Sequence, residues 1–371
     1  MKIKTVQENI DRCRFCFMCR HVCTLARATK EEELTPRSQS LSLSYILRGT
    51  FGYSPELVEN IYKCCLCNYC KDWCQGGWDF PSAIIAARED IVNADLVPGN
   101  VKQLKDEILA NQNAYGITEL NAELDKEIKA VSKSADTLVV LGSDVKYQMP
   151  EAALAYIRLL RIAGVDFTLL PDENTTSFEL MMLGFIDEAK KSAQAFAEQV
   201  YNTECRNIVV LSPDVEGFIS NEMLDLNVYL ENIEITGGIA YLKALFDNGK
   251  IRIKKGINKK LTYHDCNALA RITGTISEPR DILGLVPDSE YIEMIWNKNE
   301  AHSVGSNLTG RLYPELGQNI AEMRISDIIE IDPDVVITSA VYDFKKLSDL
   351  IDNRAEIEDF YMFIEKLTEG E

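Results

Sequence analysis

Apolar positions along the chain follow two different periods. From residue 40 to about 98 they recur at helical spacing. Ser40–Arg48 carries Leu41, Leu43, Tyr45, Ile46 and Leu47 and stops at Gly49. Ser54-Pro55-Glu56-Leu57 supplies a capping hydroxyl and a proline at the first helical position, opening an amphipathic stretch to Tyr62. Pro81–Val92 reads as a third helix. Residues 1–98 are therefore expected to be all helical, and residues 99–134, polar and helix-prone, to form a helical linker. Beyond them, short β-branched runs alternate with amphipathic stretches, and two halves, 135–255 and 256–371, match in outline. The first predicts a strand at Thr137–Leu141, a turn at Gly142, a helix at Ala152–Ala163 and a strand at Val165–Leu170. A helix at Asp187–Tyr201 and a strand at Asn207–Leu211 follow. The second gives strands at Lys260–Tyr263 and Glu290–Ile295, a helix at Ala321–Glu330 and a strand at Asp334–Thr338. The expected fold is α+β and multidomain: a helical N-terminal domain, then a duplicated α/β body with parallel sheets. Sites in such sheets form beyond the carboxyl ends of the strands, here Gly142–Ser143, Pro171–Thr176, Ser212–Asp214, His264–Cys266, Ala301–Asn307 and Ser339–Ala340.

Composition narrows the function. A chain of 371 residues suggests two or three domains with real cores. No apolar run approaches the ~20 residues of a membrane helix, and Met1–Ile10 lacks the apolar centre of a signal peptide. The expectation is a cytoplasmic protein, held at a membrane only through partners. A formal charge of −19 argues against nucleic acid as a partner. Residues 1–98 balance twelve Lys and Arg against twelve Asp and Glu, so the whole excess lies in 99–371.

The cysteines divide the other way: nine of eleven fall between Cys13 and Cys74. Cys13, Cys16, Cys19 and Cys23 read C-x2-C-x2-C-x3-C, and Cys64, Cys67, Cys70 and Cys74 repeat that spacing. Three thiols at steps of three can take three irons of a cubane, and in two-cluster ferredoxins the fourth cysteine of each run serves the other cluster. Two [4Fe-4S] clusters are expected. The first takes Cys13, Cys16, Cys19 and Cys74; the second takes Cys64, Cys67, Cys70 and Cys23. A disulfide framework suits small secreted chains, and zinc sites use paired C-x2-C units without a third cysteine at the same step. The proline that usually follows the fourth cysteine is replaced by Thr24 and Gln75. Cys65 is read as a neighbouring thiol and not a ligand. Tyr62, Tyr69, Trp73 and Trp78 are expected to pack the domain. Arg12, Arg14, Arg20, Lys63 and Lys71 flank the ligands, where cations raise cluster potentials.

The order of parts resembles the heterodisulfide reductase-like iron–sulfur subunits, which join a two-cluster helical ferredoxin domain to a duplicated cysteine-rich domain. The resemblance covers almost the whole chain. It rests on the two cysteine runs, Gly164–Thr168, Leu170–Glu173, Leu183-Gly184-Phe185, Thr262–Cys266, Glu278-Pro279-Arg280 and Pro314-Glu315-Leu316. The family's duplicated domain carries CCG motifs that hold noncubane clusters in some members. Here those positions read Ser143, Thr175-Thr176-Ser177, Ser212 and Val215 in the first half. In the second they read Cys266, Ser303-Val304-Gly305, Ala340 and Asp343. A lone thiol cannot hold a noncubane cluster, so the resemblance implies a body that has lost this site and docks subunits. It also implies a flavin-containing dehydrogenase or reductase as partner, with a further electron carrier.

Of three histidines, His264 beside Cys266 is the candidate for a remaining site, with His302 on a similar edge. An alternative function follows: a complete reductase subunit with its own substrate or thiol site at His264 and Cys266. A zinc-holding scaffold is a third reading. His21 lies between Cys19 and Cys23, and Cys205 reads as structural. No G-x-G-x-x-G or Walker sequence occurs.

Overall fold

The computed structural model describes residues 1–131 and 135–368. The end of the expected linker, 132–134, and the end of the second half, 369–371, lie outside the described residues.

Local sequence explains the helices of the first section. Three of them open on a capping side chain with a proline in the first turn. Thr35 accepts from Ser38 N–H at 3.1 Å before Pro36–Leu47. Ser54 accepts from Leu57 N–H at 3.3 Å before Pro55–Lys63. Asp79 accepts from Ser82 N–H at 3.1 Å before Phe80–Asn93. Each cap satisfies an amide the helix cannot. Pro36–Leu47 starts four residues before the expected Ser40 because Thr35-Pro36 is its real entry. The linker region holds the helices Gly99–Asn111 and Ala122–Ala130.

The rest of the chain folds as two four-stranded parallel sheets. The first contains β1 (Thr137–Val140), β2 (Thr168–Leu169), β3 (Asn207–Val210) and β4 (Glu234–Gly237), in the order β2-β1-β3-β4. The second contains β5 (Lys260–His264), β6 (Glu290–Tyr291), β7 (Val335–Thr338) and β8 (Glu356–Asp359), in the equivalent order β6-β5-β7-β8. Val139 pairs with Val209, and Tyr263 with Ile337. β1 and β7 are buried throughout and read as unbroken apolar runs, because helices cover both faces.

Two differences from expectation share a cause. β2 and β6 are only two residues long, and β4 and β8 lie outside the expected strands. All four are edge strands. An edge strand is paired on one side and kept short or charged so that it does not recruit another chain. Glu234 in β4 and Glu356, Glu358 and Asp359 in β8 hide the apolar pattern for that reason.

The two halves pack reciprocally. The helix after β4, Gly238–Asp247, lies on the second half's Ser277–Leu283. The helix after β8, Phe360–Thr368, lies on the first half's Pro150–Ile162. Across the latter contact Arg158 pairs with Glu365 at 2.7 Å, and the rings of Tyr156 and Tyr361 meet edge to face at 4.9 Å. This exchange brings residues just past β1, β3, β5 and β7 to one cavity of about 470 Å³.

The helical section is seated on the first half through Phe80–Asn93. Arg88, 2% exposed, donates to Met182 O at 2.6 Å, and Tyr62 donates to Leu183 O at 3.2 Å. Gly184 has φ +90°, and a Cβ there would lie 2.6 Å from the Arg88 carbonyl carbon. Only glycine admits that conformation and that approach.

Candidate redox centre

The two cysteine runs fold alike, shifted by 51 residues. Phe15 and Leu66, each two residues after its run's first cysteine, have φ 51° and 52°. Bulky residues avoid this left-handed region unless their surroundings enforce it. The Phe15 turn is held by Arg37, whose Nε donates to Phe15 O at 2.7 Å. The turn points Phe15 N–H at Cys13 Sγ, 3.4 Å away. Each loop then enters a short helix carrying its third cysteine, Met18–Val22 with Cys19 and Tyr69–Trp73 with Cys70. Each helix breaks into extended backbone at the fourth cysteine, Cys23 or Cys74.

These two short helices pack against each other. Cys23 lines one small buried cavity with Cys64, Cys67 and Cys70. Thr24, in place of the usual proline, puts its hydroxyl 3.5 Å from Cys67 Sγ. At the other end, the segment after Cys74 is tied to the segment before Cys13. Asn9 exchanges two hydrogen bonds with Asp79, at 2.6 and 2.8 Å, and Arg12 donates to Gly77 O at 3.2 Å. The two groups differ in exposure. Cys16 is exposed and Cys13, Cys19 and Cys74 are half-buried, whereas Cys23, Cys67 and Cys70 are buried and Cys64 is half-buried. His21 is exposed.

The donor chemistry fits a multi-iron cluster. Burial pushes the Cys23 and Cys70 thiols well up and Cys64 up to about 11, with neighbouring thiols opposing ionisation further in each case. Cys19 is pushed up to about 11 by burial, then by Cys13 and Cys16. Cys67 is pulled down because its sulfur accepts from the Cys65 thiol, with Arg271 and Thr24 adding to the effect. Packed thiols of this kind need a cationic centre before they can all be thiolates. Among the described residues no three His, Cys, Asp or Glu converge on a single ion. Cys23, Cys64, Cys67 and Cys70 instead line one small cavity together.

Two arginines that sequence reasoning missed fix the inner loop. Arg88 donates to Cys64 O at 2.7 Å and Ile61 O at 2.9 Å. Arg271 donates to Cys67 O at 2.7 Å and Ala301 O at 2.9 Å, and its guanidinium lies over Tyr69 at 5.0 Å. The inner loop is thus held by an arginine of the helical section, itself seated on the first half, and by an arginine of the second half. The expected flanking cations sit further out: Lys71 pairs with Asp79 and Arg20 with Glu32. Cys205 is buried in the first half's core.

His264 and Cys266 both lie at the end of β5, and both are buried. Both ring nitrogens of His264 are engaged. Arg324 Nε donates to Nδ1 at 3.0 Å, so Nε2 carries the proton and donates to Asp343 at 3.0 Å. No nitrogen is left to activate Cys266. His302 joins the same network: its Nδ1 meets Asp327 at 2.7 Å, Arg324 meets Asp327 at 3.2 Å, and Arg27 donates to His302 Nε2. A largely buried hydrogen-bonded chain therefore runs from Asp343 to Arg27, four residues past Cys23.

Paired cysteine loops of matching backbone, set on a pseudo-symmetric pair of parallel α/β halves, define a class of protein. No protein-family model matches the chain. One component of the dihydromethanophenazine:CoB–CoM heterodisulfide reductase of Methanosarcina acetivorans is 23% identical over 378 residues, 94% of this chain and 91% of that protein. One component of the CoM/CoB fumarate reductase of Methanothermobacter marburgensis is 22% identical, over 89% of this chain and 66% of that protein. An EtfAB:quinone oxidoreductase of Syntrophomonas wolfei is 23% identical over 86% of this chain, which spans 46% of its length. A hypothetical protein from Helicobacter pylori shares the fold, with TM-score 0.58 and 11% identity over 99% of this chain and 73% of its own. Over about nine-tenths of its length the chain is thus similar in sequence to heterodisulfide reductase-like iron–sulfur subunits. Among the described residues no helix is long and apolar enough to cross a membrane.

Proposed function

We propose that this chain is an electron-transfer subunit of a multi-subunit oxidoreductase, holding two [4Fe-4S] clusters and passing single electrons between a flavoprotein and a further carrier. Such clusters take up and release one electron at a time, at potentials set by charge, hydrogen bonds and solvent. Cys13, Cys16, Cys19 and Cys74 hold the outer one, and Cys64, Cys67, Cys70 and Cys23 the inner. The observation that carries this reading is the crossover of Cys23 into the cavity of the second run. The exposure of Cys16 sets the outer group where a partner's cofactor can approach. The buried inner group, ringed by Arg88 and Arg271, is shielded from water. The duplicated body serves as the frame that holds the inner loop and docks other subunits. Relatives that are named subunits of reductases, and one named for an electron-transferring flavoprotein, support a flavoprotein partner.

The test is metal analysis of protein purified without oxygen. About eight irons and about eight acid-labile sulfides per chain, with visible absorbance bleached by dithionite, are expected. Cys23→Ser should remove the inner cluster's signal and leave the outer one. Zinc without sulfide overturns the reading. A Cys23→Ser variant with both clusters unchanged overturns the crossover.

A further inference from the structure

The cavity between the two halves has an acidic floor. Ser143, Ser212, Ala340 and Asp343, at positions that the resemblance gives to thiols, line it. The small side chains leave the space open. Asp144, Glu179, Asp214 and Asp343 line it. Glu179 is 4% exposed; one oxygen accepts from Ser143 at 2.9 Å, and the other has no partner. Asp214 has no hydrogen-bond or ion-pair partner among the described residues, while Asp144, Asp343 and Glu179 all raise its pKa after burial itself. Asp343 has one oxygen on His264. The Tyr342 hydroxyl, which is not acidic, also lines the cavity buried and unpartnered.

Of the four cations that line the cavity, three are engaged elsewhere. Arg88 is spent on backbone carbonyls, and Arg311 pairs with Glu107 at 2.9 Å. Lys345 donates to Gln148, and Lys346 and Asp349 share its helix, Val341–Leu350. The remaining lining is mixed: Phe178, Val215, Ile272 and Leu312 give it an apolar patch beside the polar Asn267 and Asn307. The volume lies within the ordinary range for small-molecule sites.

We propose that this cavity binds a small organic cation, a protonated amine on an apolar body, with its charge on Asp214 and Glu179. Uncompensated buried carboxylates are costly, and a bound ammonium with three donors offsets that cost. A bare metal ion fits less well, because part of the lining is apolar and no three ligands converge. Cys64, Cys65 and Leu66 form part of the cavity wall, so the ligand would lie against the inner cysteine loop. The proposal goes beyond electron transfer and rests on the cavity alone.

The test is titration calorimetry on the anaerobically purified holoprotein at pH 8, with benzylammonium, benzyl alcohol and benzoate as probes. Benzylammonium is expected to bind once per chain with a Kd below about 1 mM, and the neutral and anionic analogues about tenfold more weakly or not at all. Asp214→Asn and Glu179→Gln should each weaken benzylammonium about tenfold while leaving iron and sulfide unchanged. Iron content reports on the electron-transfer reading separately. No benzylammonium binding at about 10 mM, benzoate binding as tight, or both variants binding like the unaltered protein overturns the proposal.

Discussion

Arg324 donates its Nε to Nδ1 of His264 at 3.0 Å, and neither side chain reaches solvent. A guanidinium can only donate, so the contact fixes the histidine tautomer and aims its one proton at Asp343. The same guanidinium reaches Asp327 and Trp296 O, at 3.2 and 2.9 Å. His264 is therefore a positioning residue and not a base for Cys266.

Replacing Arg324 should be severe. Arg324→Met leaves Asp327 without its cation and His264 Nδ1 without a donor. Breaking a buried charged pair from one side costs about 3–5 kcal/mol. Anaerobic urea unfolding should show a loss in that range, and Arg324→Lys should recover little, because an ammonium cannot span three acceptors in a fixed fork. Full rescue by lysine would mean that charge alone matters there.

Gly184→Ala should loosen the helical section from the first half. The left-handed backbone costs a side chain about 1–2 kcal/mol, and the forced displacement of the Arg88 backbone about 1–3 more. Limited proteolysis between residues 93 and 137 should accelerate in the variant. An unchanged cleavage rate and an unchanged thermal midpoint would show that the seat yields easily.

What the sequence made legible follows from range. The cysteine spacing is local, and it named four residues, Cys23, Cys64, Cys67 and Cys70, that now line one cavity. β1, β3 and β7 declared themselves because burial on both faces demands continuous apolar runs, here Leu138–Val140, Ile208–Val210 and Val335–Ile337. Arg88, Arg271 and Arg324 did not, because a helical arginine looks like a surface residue until its partner is known. Those partners are distant in sequence: Arg88 meets Met182, Arg271 meets Cys67 and Arg324 meets His264. The left-handed Phe15 and Leu66 carried no residue-type signal either, since neither is glycine. The acidic floor was legible only in part: Asp214 and Asp343 fell at expected site positions, but their meeting with Asp144 and Glu179 did not show. The four residues belong to four separate segments.

Cys65 separates ligand from neighbour. It is buried between the inner cysteine group and the large cavity, and its thiol donates to Cys67. Hydrogen bonds to a ligating sulfur raise cluster potentials. Cys65→Ala should keep about eight irons per chain and shift the lower or higher of the two reduction midpoints downward, by tens of millivolts. Cys67→Ala should instead lose about four irons. Loss of iron in Cys65→Ala would make Cys65 a ligand and displace Cys64 from that role.

Asp359 offers a test of pH dependence. It closes β8 and caps the last helix, accepting from Met362 N–H at 3.0 Å. Burial outweighs that bond and pushes its carboxyl up to about 7, from an ordinary value of 3.8. Between these values the folded chain holds a proton that the unfolded chain has released. The associated stability is whole below about pH 4, declines as pH rises towards 7, and is lost above it. Asp359→Asn keeps an oxygen for the cap and removes the titration. The variant should therefore gain on the unaltered protein as pH rises, by about 1–3 kcal/mol more at pH 8.5 than at pH 5.5. Glu179 and Glu216 are also pushed up to about 7 by burial, and they tilt both proteins alike. Subtracting the two unfolding curves at each pH isolates Asp359. A difference independent of pH would mean that Asp359 stays ionised in the fold, held by its amide bonds against the cost of burial.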